Sequence, residues 1–292
     1  MFNRLKSYLS LIINRIHYKY IVSTVSFPKV LSRDETLDTV INNHMSVSRF
    51  GDGEYDLIQG RPLKFQSFDN RLSTKLKEVL YSNIDTHLVC LPDIYSGTSE
   101  LKNGSSTFAE ETLRTSAPLL RPLSCKRYYG NAYITRFYMA LKPERRELSY
   151  PDKLRLLWDN HDLLIVEGAQ SRLGVGNDLF YNAKSIKRIL CPSENSFAKY
   201  DDIVGVIKKQ HTTELVLLAL GPTATVMAYD LAEIGIRSID IGHVDIEYEW
   251  FLMGTEEKVD IPNKHVNEAS GLPIDGHFND SKYLSEVIEE VL

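Results

Sequence analysis

The sequence is poor in cysteine, carries little excess of either charge and lacks a long apolar run. Its 3 cysteines, Cys90, Cys125 and Cys191, show no CxxC spacing, and Cys90 and Cys191 belong to apolar runs, so we expect buried thiols in a reducing compartment. The 34 basic and 39 acidic residues give a formal charge of −5 without a broad basic stripe, which excludes a typical nucleic-acid-binding surface. The absence of repeats and low-complexity tracts argues against extended disorder.

Composition and apolar periodicity together predict an α/β fold. Hydrophobic residues make up 43% of the 292 residues, which is enough to bury a large core. Short runs rich in Val, Ile and Leu alternate with segments of helical periodicity, a pattern typical of a mostly parallel sheet with helices on both faces. The predicted strands are Ser46–Phe50, His87–Leu91, Asp162–Val166, Arg188–Cys191, Leu215–Leu220 and Ser238–Ile241. The predicted helices are Asn70–Tyr81, Asp152–Asn160, Phe197–Gln210, Thr223–Ile234 and Ser281–Leu292.

Two regions depart from this alternation. Residues 95–150 are less regular and contain a basic aromatic stretch, so we expect an inserted flap or an interaction surface there. Residues 1–30 contain basic side chains around an apolar stretch that is shorter than the roughly 20 residues needed to span a bilayer. We predict an amphipathic helical extension, followed by one domain over residues 31–292. The helix would pack on its own domain or on a partner subunit of a homo-oligomer, or contact an anionic membrane surface. The predicted location is therefore the cytoplasm, with the inner face of the cell membrane as a peripheral site.

Each predicted strand runs directly into a polar loop that contains glycine or acidic residues. In open α/β sheets, ligands bind outside the carboxyl ends of the strands. The loops therefore predict a binding site along one edge of the sheet.

The first of these loops, Arg49-Phe50-Gly51-Asp52-Gly53-Glu54, has the strongest local chemistry. Two carboxylates spaced two residues apart in a turn can face one cation, and oxygen ligands favour Mg²⁺ or Mn²⁺. A metal ion at Asp52 and Glu54 would neutralise the charge that develops on a diphosphate leaving group. Gly51 and Gly53 would let the backbone approach a phosphate. An ordinary glycine-rich turn is the alternative interpretation.

Three further segments are candidates for donor binding. Glycines and polar side chains after the strand at 162–166 suit a phosphate or sugar, although a tight strand-to-helix connection capped by Asp178 would look the same. The segment LGPTAT offers a helix N-terminus for an anion, with simple capping by Thr223 as the alternative. Arg136 could contact phosphate or form a structural ion pair. The predicted donor-binding residues are Arg49, Gly51, Gly53, Arg136, Glu167, Arg172, Gly176, Asn177, Asp178, Gly221, Thr223 and Thr225.

The segment GHVDIEYEW is rich in titratable groups that lie next to aromatic residues. An acceptor hydroxyl loses its proton during a transfer reaction, and a nearby base could accept it. The candidates for this catalytic role are His243, Asp245, Glu247 and Glu249. If the segment is helical, Asp245 and Glu249 share a face and Glu247 points elsewhere. A solvated acidic helix is the alternative.

Taken together, the sequence resembles the GT-D type glycosyltransferases, a bacterial family first catalogued as a domain of unknown function. The resemblance spans roughly residues 30–275, and six blocks occur in the same order. They are RFGDGE at 49–54, NAYITRFYM at 131–139, VEGAQSRLGVGNDLF at 166–180, RILCPSENSF at 188–197, ALGPTATVMAYDLAEIG at 219–235 and IDIGHVDIEYEWF at 239–251.

The resemblance implies a single Rossmann-like domain and a DxE motif that binds metal and nucleotide sugar, a role that falls on Asp52 and Glu54. It further implies transfer of a hexose, glucose or alternatively galactose, from a UDP donor to a glycan or glycoprotein, in adhesin glycosylation or surface polysaccharide synthesis. A direct displacement with one base would invert the anomeric centre. Two other functions stay open: a Mg²⁺-dependent phosphohydrolase, although the DxDx[TV] pattern of aspartate phosphatases is missing, and a non-catalytic nucleotide-sugar-binding subunit.

Overall fold

The computed structural model describes residues 2–123, 127–210, 214–271 and 279–292, and the side chains from residue 12 onward. These residues contain nine strands in one sheet and ten α-helices. The strands are β1 Lys29–Val30, β2 Ser46–Arg49, β3 His87–Leu91, β4 Tyr128–Asn131, β5 Asp162–Gly168, β6 Ser185–Cys191, β7 Leu215–Ala219, β8 Ser238–Asp240 and β9 Val287–Glu290. The helices are α1 Phe2–Thr24, α2 Arg33–Asn42, α3 Asp52–Ile58, α4 Asn70–Tyr81, α5 Asn103–Leu120, α6 Tyr150–Arg155, α7 Tyr200–Gln210, α8 Pro222–Glu233, α9 Val244–Met253 and α10 Ser281–Glu286.

The sheet has the strand order β1-β4-β3-β2-β8-β7-β5-β6-β9, and every pairing among the described strands is parallel. Successive residues of a strand point to opposite faces, and β3 shows this directly. Leu88 and Cys90 belong to the core that contains α2, α6 and α9, whereas Val89 and Leu91 belong to the core that contains α4, α7 and α8. The predicted α/β, Rossmann-like sheet with helices on both faces is therefore confirmed.

Helix α4 illustrates how local sequence determines these elements. The Asp69 side chain accepts a hydrogen bond from the Leu72 N–H over 2.9 Å and caps the first turn. Leu72, Leu76 and Leu80 follow at four-residue spacing and are fully buried, so one face of the helix packs on the sheet. The predicted bounds Asn70–Tyr81 are those observed.

Four predicted elements differ from the structure. The predicted helix Asp152–Asn160 is observed as α6, which ends at Arg155 and is followed by turns. Ser281–Leu292 is not one helix, because α10 ends at Glu286 and Val287–Glu290 pairs with the edge of β6 as β9. Residues 95–150 are not merely an inserted flap, because they supply α5 and also β4, which lies in the sheet between β1 and β3. The predicted helix Phe197–Gln210 starts as a 3₁₀ turn at Ser196–Lys199 and becomes α-helical at Tyr200.

The N-terminal segment forms helix α1, which packs against α5. No helix in the described part of the chain is both long and apolar enough to cross a membrane. Cys90 and Cys191 are buried free thiols, as predicted. Cys125 lies outside the described residues.

Candidate active site

A cavity of about 1000 Å³ opens at the carboxyl ends of the strands. Its walls come from the loops that follow β2, β3, β4, β5, β6, β7 and β8, so the loops meet at one edge as predicted. After β2 the chain continues to β3 on one side of the sheet, whereas after β8 it continues to β9 at the opposite edge. The crevice between β2 and β8 is therefore a topological switch point, the place where ligands bind in open α/β sheets.

Asp52 and Glu54 lie beside this crevice as the first and third residues of α3. Glu54 Oε2 accepts a hydrogen bond from the Gly51 N–H over 2.7 Å, which is the glutamate half of a capping box, since Gly51 has no side chain to complete it. Burial, and after it the carboxylates of Asp240 and Asp52, raise the pKa of Glu54 to about 7. Asp52 is exposed to the cavity, yet the surrounding walls still raise its pKa by desolvation. The two carboxylates are thus near enough for the charge of Asp52 to act on Glu54.

Arg49 and Asp240 form an ion pair that joins β2 to β8 beneath the cavity. Arg49 Nη2 lies 2.9 Å from Asp240 Oδ1, and Arg49 Nε donates to the Asp240 carbonyl over 2.7 Å. Gly242 adopts φ +48°, and a Cβ there would overlap the Arg49 guanidinium, so only glycine fits. The Thr225 hydroxyl donates to the Arg49 carbonyl over 3.0 Å. Donor binding was predicted for Arg49 and Thr225. In the structure their contacts join β2, β8 and α8 at the floor of the cavity.

Arg136 is at the centre of a charged cluster on the cavity wall. It forms an ion pair with Glu268, and its Nη1 lies 3.7 Å from Glu247 Oε1. Glu268 Oε2 also lies 2.6 Å from Lys258 Nζ. Although burial opposes it, the charge of Arg136 holds the pKa of Glu268 well below its usual range. One carboxylate therefore holds both cations.

His243 contacts this cluster through Nδ1, which lies 3.1 Å from Arg136 Nη2. A guanidinium only donates, so Nδ1 must accept, and the neutral imidazole then carries its proton on Nε2. Burial and the charge of Arg136 lower the pKa of His243 to about 4. The ring is therefore a neutral hydrogen-bond donor at physiological pH.

The three acids of α9 are already engaged. Asp245 Oδ2 and Glu249 Oε1 lie 2.7 and 2.6 Å from Nζ of Lys264, which is 1% exposed. Asn177 Nδ2 donates to both carboxylates over 2.7 Å. Glu247 Oε2 accepts the backbone N–H groups of Tyr138 and Met139 at 3.0 and 2.9 Å. As predicted, Asp245 and Glu249 share one face of the helix and Glu247 points elsewhere.

The loop after β5 contributes less to the cavity than its glycines suggest. Glu167 is fully buried with Oε1 2.7 Å from Arg188 Nη1. Arg172 donates from Nη1 to the Asn263 carbonyl over 2.8 Å. Asp178 accepts from Tyr248 Oη over 2.5 Å. Of this loop, Gly168, Ser171 and Leu173 line the main cavity, whereas Gly176, Asn177 and Asp178 line a smaller one of about 360 Å³. None of the five predicted donor-binding residues of this loop, Glu167, Arg172, Gly176, Asn177 and Asp178, lines the main cavity, and donor contact by them stays a prediction.

The N-terminus of α8 points into the cavity, with Pro222 at its first position as predicted. Gly221 adopts φ +56° and ψ −140°, a conformation open to glycine, and a Cβ there would lie 3.1 Å from the Phe65 ring. Thr223 is fully buried, and its hydroxyl has no hydrogen-bond partner among the described residues. The backbone at Gly221, rather than the Thr223 hydroxyl, is therefore the part of this turn that a ligand would reach.

The predicted site residues do not include five charged residues that line the cavity: Lys64, Glu194, Asp240, Lys258 and Glu268. Asp240 ends a short strand and lies in the block at 239–251, but no feature of that block marked it as a site residue. Lys258 and Glu268 belong to the irregular chain after α9, which has neither apolar periodicity nor a glycine-rich turn. The adjacent acid-rich block at 243–249 was the only signal near them.

Known proteins share both the sequence and the fold described above. The sequence pattern of the glycosyltransferase GT-D fold matches residues 47–269. The probable glycosyl transferase Gly of Streptococcus gordonii is 40% identical over 260 residues, which cover 89% of this chain and 38% of the relative. The glycosyltransferase GlyD of Streptococcus pneumoniae serotype 4 is 35% identical over 89% of this chain and 32% of its own length. The chain thus spans about a third of the length of these curated relatives.

Solved structures match over most of this chain. The highly conserved domain of unknown function 1792, described as having a distinct glycosyltransferase fold, is 37% identical with a TM-score of 0.87 over 95% of this chain and 99% of that chain. A new glycosyltransferase of the same domain from Streptococcus sanguinis is 39% identical with a TM-score of 0.85 over 91% of this chain and 100% of that chain. Identity and fold agree over almost the full length of both structures.

Proposed function

Since the chain belongs to the GT-D fold family of glycosyltransferases, we propose that it transfers a hexose from a UDP-sugar to a glycan or glycoprotein, with Mn²⁺ or Mg²⁺ as cofactor. The proposed hexose is glucose, with galactose as the alternative. The proposed pathway is adhesin glycosylation or surface polysaccharide synthesis. A cytoplasmic location is part of the proposal, supported by the free buried thiols of Cys90 and Cys191, which are typical of a reducing compartment.

One observation carries the proposal: the acids of the DxE motif and two groups suited to phosphate line the same cavity at the switch point. Asp52 and Glu54 follow β2, Arg136 follows β4, and Gly221 precedes α8. A nucleoside diphosphate needs positive partners for its oxygens and a cation to offset its charge. The cavity of about 1000 Å³ is large enough for a nucleotide sugar.

The residues present fit a divalent metal ion. Among the described residues, no group of three His, Cys, Asp or Glu side chains is arranged to hold a metal. Mg²⁺ in nucleotide sites, however, commonly takes one or two carboxylates and completes its shell with phosphate oxygens and water. Burial is the main cause of the raised pKa of Glu54, and the charges of Asp240 and Asp52 raise it further. A bound cation would relieve that repulsion. When bound, the metal would neutralise charge on the departing diphosphate.

The protein groups proposed for the diphosphate are Arg136 and the N-terminus of α8. The free N–H groups of a helix N-terminus and its dipole both favour an anion. Arg136 can present a fork of donors to phosphate oxygens once it exchanges Glu268 for the ligand. Gly51 and Gly53 line the same cavity, and we propose that their backbone contacts the donor.

We propose that His243 meets the substrate as a hydrogen-bond donor through Nε2. Asp245 and Glu249 are engaged by Lys264, and Glu247 is engaged by two backbone N–H groups. Positioning roles for these three acids are therefore favoured over proton transfer. Glu247 supports Arg136, which lies 3.7 Å away.

The experiment that tests this function is a screen of UDP-glucose, UDP-galactose and UDP-N-acetylglucosamine for metal-dependent donor hydrolysis and transfer. We expect one UDP-hexose to be turned over, faster with acceptor, and Asp52→Ala and Glu54→Ala to abolish turnover. Normal turnover in both variants, with metal still required, would contradict the assigned site. Release of phosphate from simple esters would instead favour a phosphohydrolase, and binding of donor without turnover would favour a binding subunit.

A further inference from the structure

Helix α1 presents an apolar face that the described residues of the fold do not cover. Ile12, Ile13, Ile16 and Tyr20 are 42%, 51%, 59% and 66% exposed. With 3.6 residues per turn, these positions fall within a sector of roughly 100° on the helix surface. The same period in the sequence continues through Leu9. Four large apolar side chains on one continuous stripe form a surface that water solvates poorly.

The opposite face of α1 is attached to the domain, which fixes the direction of the apolar stripe. Tyr18 is 8% exposed, and its hydroxyl donates to the Ile94 carbonyl over 2.8 Å. Just beyond the helix, the rings of Phe27 and Tyr95 stack with centroids 4.7 Å apart. The stripe therefore faces away from the protein.

Charge distinguishes α1 from the rest of the chain. Its 23 residues contain Arg4, Lys6, Arg15 and Lys19 and no acidic residue. Since the whole chain carries −5, the remainder carries −9. Arg15 and Lys19 are exposed and follow one border of the apolar stripe. Basic residues beside an apolar face are complementary to a surface that carries negative charge on the outside and hydrocarbon beneath it.

We propose that the outer face of α1, defined by Ile12, Ile13, Ile16 and Tyr20, docks on the surface of an anionic lipid bilayer. The aliphatic side chains would enter the headgroup boundary while Arg15 and Lys19 meet anionic headgroups. A second copy of the chain is a poorer occupant in an antiparallel arrangement, because that two-fold contact would bring the basic borders of both copies to the same side. The contact is peripheral, since no described helix is suited to cross a membrane.

Docking would place the cavity beside the membrane. Ile94, which accepts the hydrogen bond from Tyr18, also lines the cavity. Helix α5 packs against α1 and contributes Phe108 and Thr112 to the cavity wall. Because α1 would lie between the bilayer and α5, the bilayer surface would be about one helix diameter, roughly 10 Å, from this part of the cavity wall.

Vesicle flotation of the full chain tests the proposal, with phosphatidylglycerol–phosphatidylcholine vesicles compared with pure phosphatidylcholine. We expect the parent to float with the anionic vesicles and to be released by high salt. The double variant Ile13→Ser, Ile16→Ser should bind at least about tenfold more weakly. The double variant Arg15→Glu, Lys19→Glu should lose about fivefold or more per charge. Leu148→Ser, which removes an 81% exposed apolar side chain outside α1, is the matched control and should bind like the parent.

Circular dichroism and donor hydrolysis without vesicles should be unchanged in all variants, because none of the α1 residues whose side chains are described lines the cavity. Failure of the parent to bind anionic vesicles would overturn the proposal. So would equal binding of the Ile13, Ile16 variant, or a dimer in light scattering that this variant dissociates.

Discussion

Glu268 and Arg136 form an ion pair on the cavity wall, and the same carboxylate lies 2.6 Å from Lys258 Nζ. Two cations suited to a donor phosphate are thus neutralised by one acid of the chain itself. A ligand phosphate has to compete with that carboxylate, and the competition can be measured.

Removal of the Glu268 charge should strengthen nucleotide binding. Glu268→Gln keeps the shape of the side chain but releases Arg136 and Lys258, so we expect UDP to bind about fivefold more tightly, a gain of about 1 kcal/mol. Calorimetric titration of UDP with metal present measures the change. Glu257→Gln removes an exposed carboxylate from the same segment and should leave the affinity unaltered. Weaker binding in Glu268→Gln would mean that Glu268 positions Arg136 rather than competing with the ligand.

The DxE acids should matter through their charge. Asp52→Asn and Glu54→Gln are each expected to lower turnover by about 100-fold or more, because either amide is a poor cation ligand. Glutamine can still accept from the Gly51 N–H, so Glu54→Gln should unfold near the parent temperature. Asp56→Asn, on the same helix but paired with Arg61, is the control and should retain activity. Retained turnover in Asp52→Asn would remove the metal assignment.

His243 should not behave as a general base. Its Nδ1 accepts from Arg136, so His243→Gln, which can still donate a hydrogen bond, is expected to lower kcat by less than about tenfold. Removal of a general base typically costs between about 100-fold and 10,000-fold. Steady-state kinetics across pH 6 to 9 distinguishes the two roles. A loss above 100-fold would restore His243 as the proton acceptor.

Lys264 should be essential for stability. It is 1% exposed between Asp245 and Glu249, and Lys264→Met would leave two partly or fully buried carboxylates without a cation. The expected loss in the free energy of unfolding is about 3 to 5 kcal/mol, measured by urea denaturation. Lys184→Met breaks an exposed pair with Asp162 and should cost less than about 1 kcal/mol. Similar losses in both variants would contradict a special role for the buried cluster.

Acid should destabilise the fold through His87. Burial, then the charge of Arg127, lowers the pKa of His87 from 6.5 to about 3, so the unfolded chain takes up a proton that the folded chain refuses. Stability from this group is complete above pH 6.5 and falls with decreasing pH towards 3. Between pH 6.5 and 5.0 the loss is about 2 kcal/mol. Urea denaturation of the parent should show this slope, and His87→Gln should flatten it. Equal slopes would indicate that His87 protonates inside the fold.

The central strands were predictable because they are buried on both faces and read as continuous apolar runs, as in His87–Leu91. Strands β1, β4 and β9 were not predictable from the sequence. They are short, and they form because a neighbouring strand supplies hydrogen-bond partners. In β4, a Cβ at Gly130 would lie 2.4 Å from Cys90 Sγ, a packing requirement that only the folded neighbour reveals.

Within the cavity, motif chemistry and strand ends located Asp52, Glu54, Arg136, Gly221 and His243. The sequence of the glycine-rich loop after β5 could not show which of its side chains face the cavity. Asn177, for example, hydrogen-bonds Asp245 and Glu249, the two ion-pair partners of Lys264. Lys258 and Glu268 come from chain that follows α9 and reach the site only by tertiary folding. Local sequence carries no trace of that placement.

The two edge strands of the sheet, β1 and β9, are short. β1 has two residues and β9 has four, so each offers few free backbone groups to a strand from another molecule. A long, flat border would invite intermolecular strand addition and fibre growth, especially at the concentrations reached during expression. The small terminal strands therefore protect a strongly apolar parallel sheet from aggregation.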